Sequence, residues 1–115
     1  MDINQLDTRS IHGAGSEMQV KDQLGNETDV FIKVVGVDSK LWREIIKESA
    51  RKTDSEKFNG NELLAKACLD FRGLETDGKE IPFSYESMLN LLEIAPYIAE
   101  QLDRFIGNRA NFTKG

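Results

Sequence analysis

The stretch Asp77-Gly78-Lys79-Glu80-Ile81-Pro82-Phe83-Ser84 is a turn followed by a helix start, and it lies between two apolar helical segments. The dipeptide Asp77-Gly78 is a strong turn signal, because glycine adopts positive φ at little cost. Pro82 disfavours helix at the residue before it, and Ser84 supplies an oxygen that can cap the next helix. The stretch therefore predicts a structural joint that positions the helices on either side of it.

Helical periodicity on both sides of this joint predicts about four helices. Asp38 or Ser39 caps the first helix, Asn61 caps the second, and Gly73 ends the second. Pro96 either breaks the third helix or begins the fourth at its first position. The four predicted apolar stripes are Leu41, Trp42, Ile45, Ile46 and Ala50; Leu63, Leu64, Ala67, Cys68 and Phe71; Tyr85, Met88, Leu89, Leu92 and Ala95; and Ile98, Leu102, Phe105 and Ile106.

Residues 16–37 instead predict a β-hairpin, because polar and apolar side chains alternate before the turn cluster at 24–27 and a β-branched run follows it. The second strand carries apolar side chains on both faces. A two-stranded hairpin is marginal alone in water, so one face is expected to pack on helices and the other to need more protein, such as a second copy. We therefore predict self-association through a surface made of Val30, Phe31, Val35 and Val37.

The predicted fold class is mainly α, of the α+β type: an N-terminal β-hairpin followed by about four helices in a single domain. A chain of 115 residues is of the usual size for one domain. The only histidine, His12, falls in a polar segment with no visible partner. The predicted division is a flexible N-terminal arm at 1–15, a single domain at 16–112 with its hairpin at 16–37 and its helical part at 38–107, and a C-terminal tail at 108–115.

Charge and composition indicate which kinds of partner and which cellular compartment to expect for this protein. The net charge of −5 repels phosphate backbones, so we expect no nucleic-acid partner. Local positive charge on the first helix is interleaved with glutamates, which favours a solvated helix face over an anion site. No apolar run approaches the roughly 20 residues that span a bilayer, so we expect no membrane partner. One cysteine, Cys68, is compatible with a reducing cytoplasm.

The sequence shows no catalytic, cofactor-binding or metal-ligand pattern. Cys68 lies on a predicted apolar stripe and is interpreted as a core residue. The acidic residues between Asp70 and Glu80 lack the spacing of a calcium loop and are interpreted as a solvated turn, although paired carboxylates there leave a small enzyme as a rival hypothesis. Large rings often anchor protein interfaces. Trp42 and Phe71 are nevertheless predicted to pack in the core, and Phe112 in the polar tail is either docked on its own domain or a candidate partner contact.

The order of several short pieces resembles the tail assembly chaperones of long-tailed (lambda-like) bacteriophages and prophages. The resemblance covers about residues 30 to 112, and one departure is Phe71, where the family more often has Trp. After a hairpin, its pieces are Gly36-Val37-Asp38-Ser39, Leu64-Ala65-Lys66-Ala67-Cys68-Leu69-Asp70-Phe71, Asp77-Gly78-Lys79-Glu80-Ile81-Pro82-Phe83-Ser84, a helix reaching Pro96, Gln101 and Phe105, and Arg109-Ala110-Asn111-Phe112.

This resemblance implies a non-enzymatic protein without a cofactor. Such chaperones bind the tape-measure protein, keep it soluble and help recruit tail tube protein around it. They act in the host bacterial cytoplasm and are absent from the finished virion. The alternative is a different binding module, such as a small acidic adaptor or an inhibitor of a host protein.

Overall fold

Three antiparallel strands form the central sheet of the computed structural model, which describes residues 1–113. The strands are β1 (Ser16–Lys21), β2 (Glu27–Val34) and β3 (Cys68–Arg72), and β2 lies in the middle. Met18, Ile32 and Phe71 are aligned across the three strands and all are buried. Because side chains alternate along a strand, their neighbours in sequence form the opposite face of the sheet, which is largely charged and polar.

Residues 1–113 also form five α-helices. They are α1 (Arg9–Ala14), α2 (Lys40–Ala50), α3 (Gly60–Ala67), α4 (Tyr85–Ile94) and α5 (Pro96–Gly107). Two short 3-10 turns, Ile3–Leu6 and Arg109–Asn111, precede α1 and follow α5. Over residues 1–113, no helix has both the length and the hydropathy that crossing a membrane requires.

The core lies between the inner face of the sheet and the last three helices. Helix α5 buries Ile98, Leu102 and Ile106, and α4 buries Met88 and Leu92. Helix α3 adds a small apolar face that ends at Ala67. Packing the long helices on one face of a sheet buries a continuous apolar cluster and leaves the other sheet face to solvent.

The joint between the helical segments behaves as its residues predict. Asp77 and Gly78 both have positive φ, 53° and 78°, as a type I′ turn requires, and they connect two very short strands, β4 (Glu75–Thr76) and β5 (Lys79–Glu80). Ser84 accepts a hydrogen bond from the backbone N–H of Ser87 at 3.0 Å and so caps α4. Pro96 occupies the first position of α5, the position that tolerates its missing N–H.

The predicted fold class is wrong. The described chain has five α-helices and two small antiparallel sheets, rather than an N-terminal hairpin followed by about four helices. Helical segments precede the first strand, and β2 pairs with β3 as well as with β1. A strand with apolar side chains and unpaired backbone groups on its free edge needs a partner. The fold supplies that partner from within the chain, because β3 begins at Cys68, 34 residues after β2 ends at Val34.

The prediction that the second helix continues to Gly73 is also wrong, because α3 ends at Ala67 and residues 68–72 form β3. Cys68 and Phe71 follow Ala67 at spacings that suit a helix, and a run of five residues is too short to separate the two periods. Pairing with β2 decides the conformation, since it satisfies backbone groups of both strands. The cap of α3 is Asn59 rather than Asn61, and its side chain accepts from the backbone N–H of Glu62 at 2.9 Å.

Candidate protein-interaction surface

Helix α2 leaves much of its predicted apolar stripe in solvent. Only Ile45 of its eleven residues is buried. Leu41 and Ile46 keep 36% and 41% of their surface exposed, and Trp42 is half-buried. The stripe was predicted to face the core. That prediction is correct for Ile45 and in part for Trp42, which packs against the core while half-buried, but Leu41 and Ile46 stay exposed because the sheet already has α3, α4 and α5 against it.

A groove of about 310 Å³ runs beside the exposed part of this stripe. We call it the α2 groove. Its apolar floor comes from Val37, Trp42 and Ile46, and its rim is charged. The residues that line it are Val37, Asp38, Trp42, Arg43, Ile46, Lys47 and Arg109.

The rim of the α2 groove is positively charged. Within residues 1–113, neither Arg43 nor Lys47 has a carboxylate within ion-pair distance. Neither Glu44 nor Glu48 lines the groove, and Glu44 pairs with Lys40 at 3.8 Å on another flank of the helix. From the sequence, the cations and glutamates of this helix were interpreted as one interleaved solvated face. In the structure, helical spacing separates the cations from the glutamates and places the cations beside the apolar floor.

Asp38 lines the α2 groove and is held by hydrogen bonds from two distant parts of the chain. Arg109 donates two hydrogen bonds to its carboxylate, from Nε to Oδ2 at 3.0 Å and from Nη2 to Oδ1 at 2.9 Å. The hydroxyl of Thr8 donates to Oδ2 at 2.6 Å. The hydrogen bonds from Arg109, followed by that from Thr8, hold the pKa of Asp38 well below its usual range. In return, the hydrogen bonds to Asp38 raise the pKa of Arg109.

Behind Asp38 lies the only histidine, and its environment differs from the one predicted. His12 belongs to α1 and is only 1% exposed. The backbone N–H of Asp38 donates to its Nδ1 at 3.1 Å, and its ring stacks on Phe112 with 4.9 Å between centroids. Residues 9–14 are therefore a packed helix rather than a flexible arm, and His12 is an enclosed structural residue without access to a substrate.

Phe112, the candidate partner contact, is docked on its own domain. Its side chain is 3% exposed and lies between the rings of His12 and Phe105, the latter at 5.6 Å between centroids. Of the two alternatives predicted for Phe112, docking on its own domain is therefore correct and contact with a partner is wrong. A large ring among polar neighbours reaches a buried site here because the 3-10 turn after α5 carries it back over the end of that helix.

The predicted self-association surface is not one surface in the structure. Val35 is 1% exposed, and its backbone N–H donates to the carbonyl of Ala67 at 3.0 Å. Val30 and Val37 are half-buried against the core. Phe31 lies on the other face of the sheet, under the guanidinium of Arg72 at 3.9 Å from its ring centre. The four residues therefore offer no continuous apolar patch for a second copy.

The groups that a small enzyme could use are also dispersed. Cys68 is buried, as predicted, and burial raises the pKa of its thiol to about 12, which keeps it protonated. The carboxylates of Asp70, Glu75, Asp77 and Glu80 are exposed to solvent. In the part of the chain that the structure describes, no three His, Cys, Asp or Glu side chains come together as metal ligands.

Sequence reasoning missed the α2 groove for two reasons. The predicted stripe of α2 covers five positions on eleven residues, an ordinary breadth for a core-facing helix, so it gave no sign that the helix stays exposed. The pairing of Asp38 with Arg109 joins residues 71 positions apart and has no local signal.

No protein-family model, curated protein or solved structure matches this chain.

Proposed function

We propose that this protein is a tail assembly chaperone of a long-tailed bacteriophage or prophage. In this role it binds the tape-measure protein, keeps it soluble and assists assembly of the tail tube protein around it. The role is non-enzymatic, is carried out in the host bacterial cytoplasm and ends before the virion is complete. Self-association of the chaperone belongs to the same proposal.

The observation that carries the proposal is the apolar floor of the α2 groove. A chaperone of this kind needs exposed apolar surface with which to cover apolar segments of its client. Ile46 and the exposed part of the half-buried Trp42 present such surface on a helix of which only Ile45 is buried. Covering it would contribute about 25 cal/mol per Å² of apolar area, reduced by the cost of ordering the two partners.

The pieces of sequence that carry the family resemblance also meet in space. Asp38, from the piece before α2, is paired with Arg109, from the piece after α5. Phe71 and Phe83, from two further pieces, contact each other edge to face with 5.2 Å between ring centres. These contacts support treating the pieces as parts of one structural pattern.

Co-expression with the tape-measure protein of the phage or prophage that encodes this chain tests the proposal. The full chain is expected to raise the soluble fraction of the tape-measure protein and to co-purify with it. The matched control is the same chain with Ile46→Glu, which places a charge on the groove floor while Ile45 and the core stay intact. A client that remains equally insoluble with and without the wild-type chain would contradict the proposal and leave an adaptor or inhibitor of another protein as the function.

A further inference from the structure

We infer that the α2 groove binds an amphipathic helix of the client whose apolar stripe is flanked by carboxylates. This inference rests on the proposed function and names the client segment that the groove accepts. Three properties of the groove carry it: the shape and composition of the floor, the backbone that surrounds it, and the sign of the charge on its rim.

The floor suits side chains presented by a helix. Trp42 and Ile46 are four residues apart and therefore adjacent on the surface of α2, and Val37 extends this apolar strip beyond the helix start. An amphipathic helix places apolar side chains at i, i+3, i+4 and i+7 along a comparable strip. Packing two such rows together buries both without leaving polar groups in the contact.

The backbone around the groove excludes the addition of a strand. An extended peptide needs unpaired backbone N–H and C=O groups along an exposed sheet edge. Most of the groove wall is α2, whose backbone groups are bonded within the helix. A helical ligand brings its backbone already paired, so it gains the apolar contact without leaving its own peptide groups unsatisfied.

The rim selects the charge of the ligand. Arg43 and Lys47 lie next to the floor without a carboxylate partner among residues 1–113. The carboxylate of Asp38, the only acidic residue of the groove, is already bound by Arg109 and Thr8. Carboxylates flanking the apolar stripe of a ligand would pair with these two free cations, and such rim pairs mainly raise the association rate and the specificity.

The same charges disfavour a second copy as occupant, and the apolar floor disfavours a nucleic acid. In a two-fold dimer the same patch lies on both sides of the contact, so Arg43 and Lys47 of one copy would approach those of the other. A nucleic acid would have to place charged phosphates against the apolar floor, where they would lose hydration without gaining a partner.

Trp42 makes the test direct, because it is the only tryptophan in the sequence and it lies in the groove. Two synthetic peptides of about 18 residues, or five helical turns, are titrated into the full chain. Both carry leucines at helical spacing; one has glutamates and the other lysines on the flanks. The acidic peptide is expected to shift Trp42 emission to shorter wavelength and to bind about tenfold more tightly than the basic one, a ratio that corresponds to two exposed ion pairs.

The variant Arg43→Glu/Lys47→Glu reverses the rim, and Lys79→Glu/Arg104→Glu is the matched control, with the same change of net charge at exposed positions outside the groove. The first variant is expected to bind the acidic peptide about tenfold more weakly than the wild type does and the basic peptide more tightly. The control variant is expected to keep the wild-type preference for the acidic peptide. Tighter binding of the basic peptide would show that the rim variant is folded. Equal binding of the two peptides by the wild type, or an unchanged preference in the rim variant, would overturn the inference.

Co-expression separates this inference from the proposed function. If the wild type and the rim variant both keep the tape-measure protein soluble to the same extent, the function stands and the acidic-helix inference fails. If the wild type does not keep the client soluble but still prefers the acidic peptide, the inference about the groove stands and the tail assembly function fails.

Discussion

At the residue scale, Gly36 shows how closely α1 is packed against the loop before α2. A Cβ added at Gly36 would lie 2.6 Å from Cγ of the His12 ring, closer than van der Waals contact allows. The backbone N–H of Gly36 also donates to the carbonyl of His12 at 3.0 Å. The absence of a side chain at Gly36 is therefore a matter of space, and it lets His12 lie flat between the loop and Phe112.

A side chain at Gly36 should displace the His12 ring from its buried position. The substitution Gly36→Ala is expected to lower the free energy of unfolding by about 1–3 kcal/mol, because the added methyl group overpacks a buried ring. Gly13→Ala is the control: its Cβ meets nothing within 4 Å, and alanine in a helix is favoured over glycine by up to about 1 kcal/mol. Urea denaturation of both variants measures the difference, and a Gly36→Ala protein as stable as wild type would contradict close packing of Gly36 on the His12 ring.

At the element scale, α2 and α5 differ in how much they bury. Helix α5 buries Ile98, Leu102 and Ile106, whereas α2 buries one residue, Ile45. Gln101 of α5 also bonds the edge of the sheet, donating to the carbonyl of Lys21 at 2.7 Å and accepting from its N–H at 2.9 Å. Helix α5 is therefore part of the core, and α2 is a surface element available for binding.

This difference predicts the order in which the helices open. Amide hydrogen exchange under native conditions should show α2 exchanging through local openings of lower free energy than α5, because few buried apolar contacts oppose its detachment. Binding of the acidic helical peptide should slow exchange in α2 and leave α5 unchanged. Equal protection of the two helices in the free protein would contradict the weak packing of α2.

At the scale of the whole molecule, the carboxylate of Asp38 connects distant parts of the chain. It is bonded by Thr8 before α1 and by Arg109 after α5, partners that lie 30 and 71 residues away. These bonds stabilise the charged form, and the pKa of Asp38 is lowered from its ordinary 3.8 in consequence. Its contribution to stability is therefore fully present above the ordinary carboxyl pKa and is lost as the pH falls through the lower pKa of the folded state.

The substitution Asp38→Asn should consequently destabilise the protein at pH 7 by about 1–3 kcal/mol, the range for losing hydrogen bonds to a charged group. The gap between variant and wild type should narrow as the pH falls below 3.8, the unfolded-state value, because Asp38 of the unfolded wild type then takes up a proton that the folded state, with its lower pKa, does not yet bind. Asp54→Asn is the control, since Asp54 is exposed and pairs only with its neighbour Lys57. Thermal unfolding across this pH range is the measurement, and a gap that stays constant with pH would rule out the charge as the cause.

Local signals predicted much of the detailed structure. The cap at Ser84, the turn at Asp77-Gly78 and the helix start at Pro96 were all correct, because each depends on backbone conformations and hydrogen bonds within a few residues. The same reasoning failed at residues 68–72, where local spacing fits a helix but the partner strand β2 decides. For Phe112 it left docking on its own domain and contact with a partner both open, and only the tertiary structure shows that the ring is docked.

The α2 groove likewise combines features that the sequence shows with features that only the tertiary structure decides. The charges and apolar residues of α2 were visible in the sequence, but their exposure depended on how many other helices cover the sheet. By itself the sequence determined the turn at Asp77-Gly78, the cap at Ser84 and the apolar stripes of α4 and α5, since these are set by short-range sterics, hydrogen bonds and helical spacing. Only the tertiary structure decided that β3 completes the sheet, that Asp38 connects both ends of the chain, and that α2 keeps an apolar groove with a positive rim, because these depend on which distant segments compete for the same buried surface.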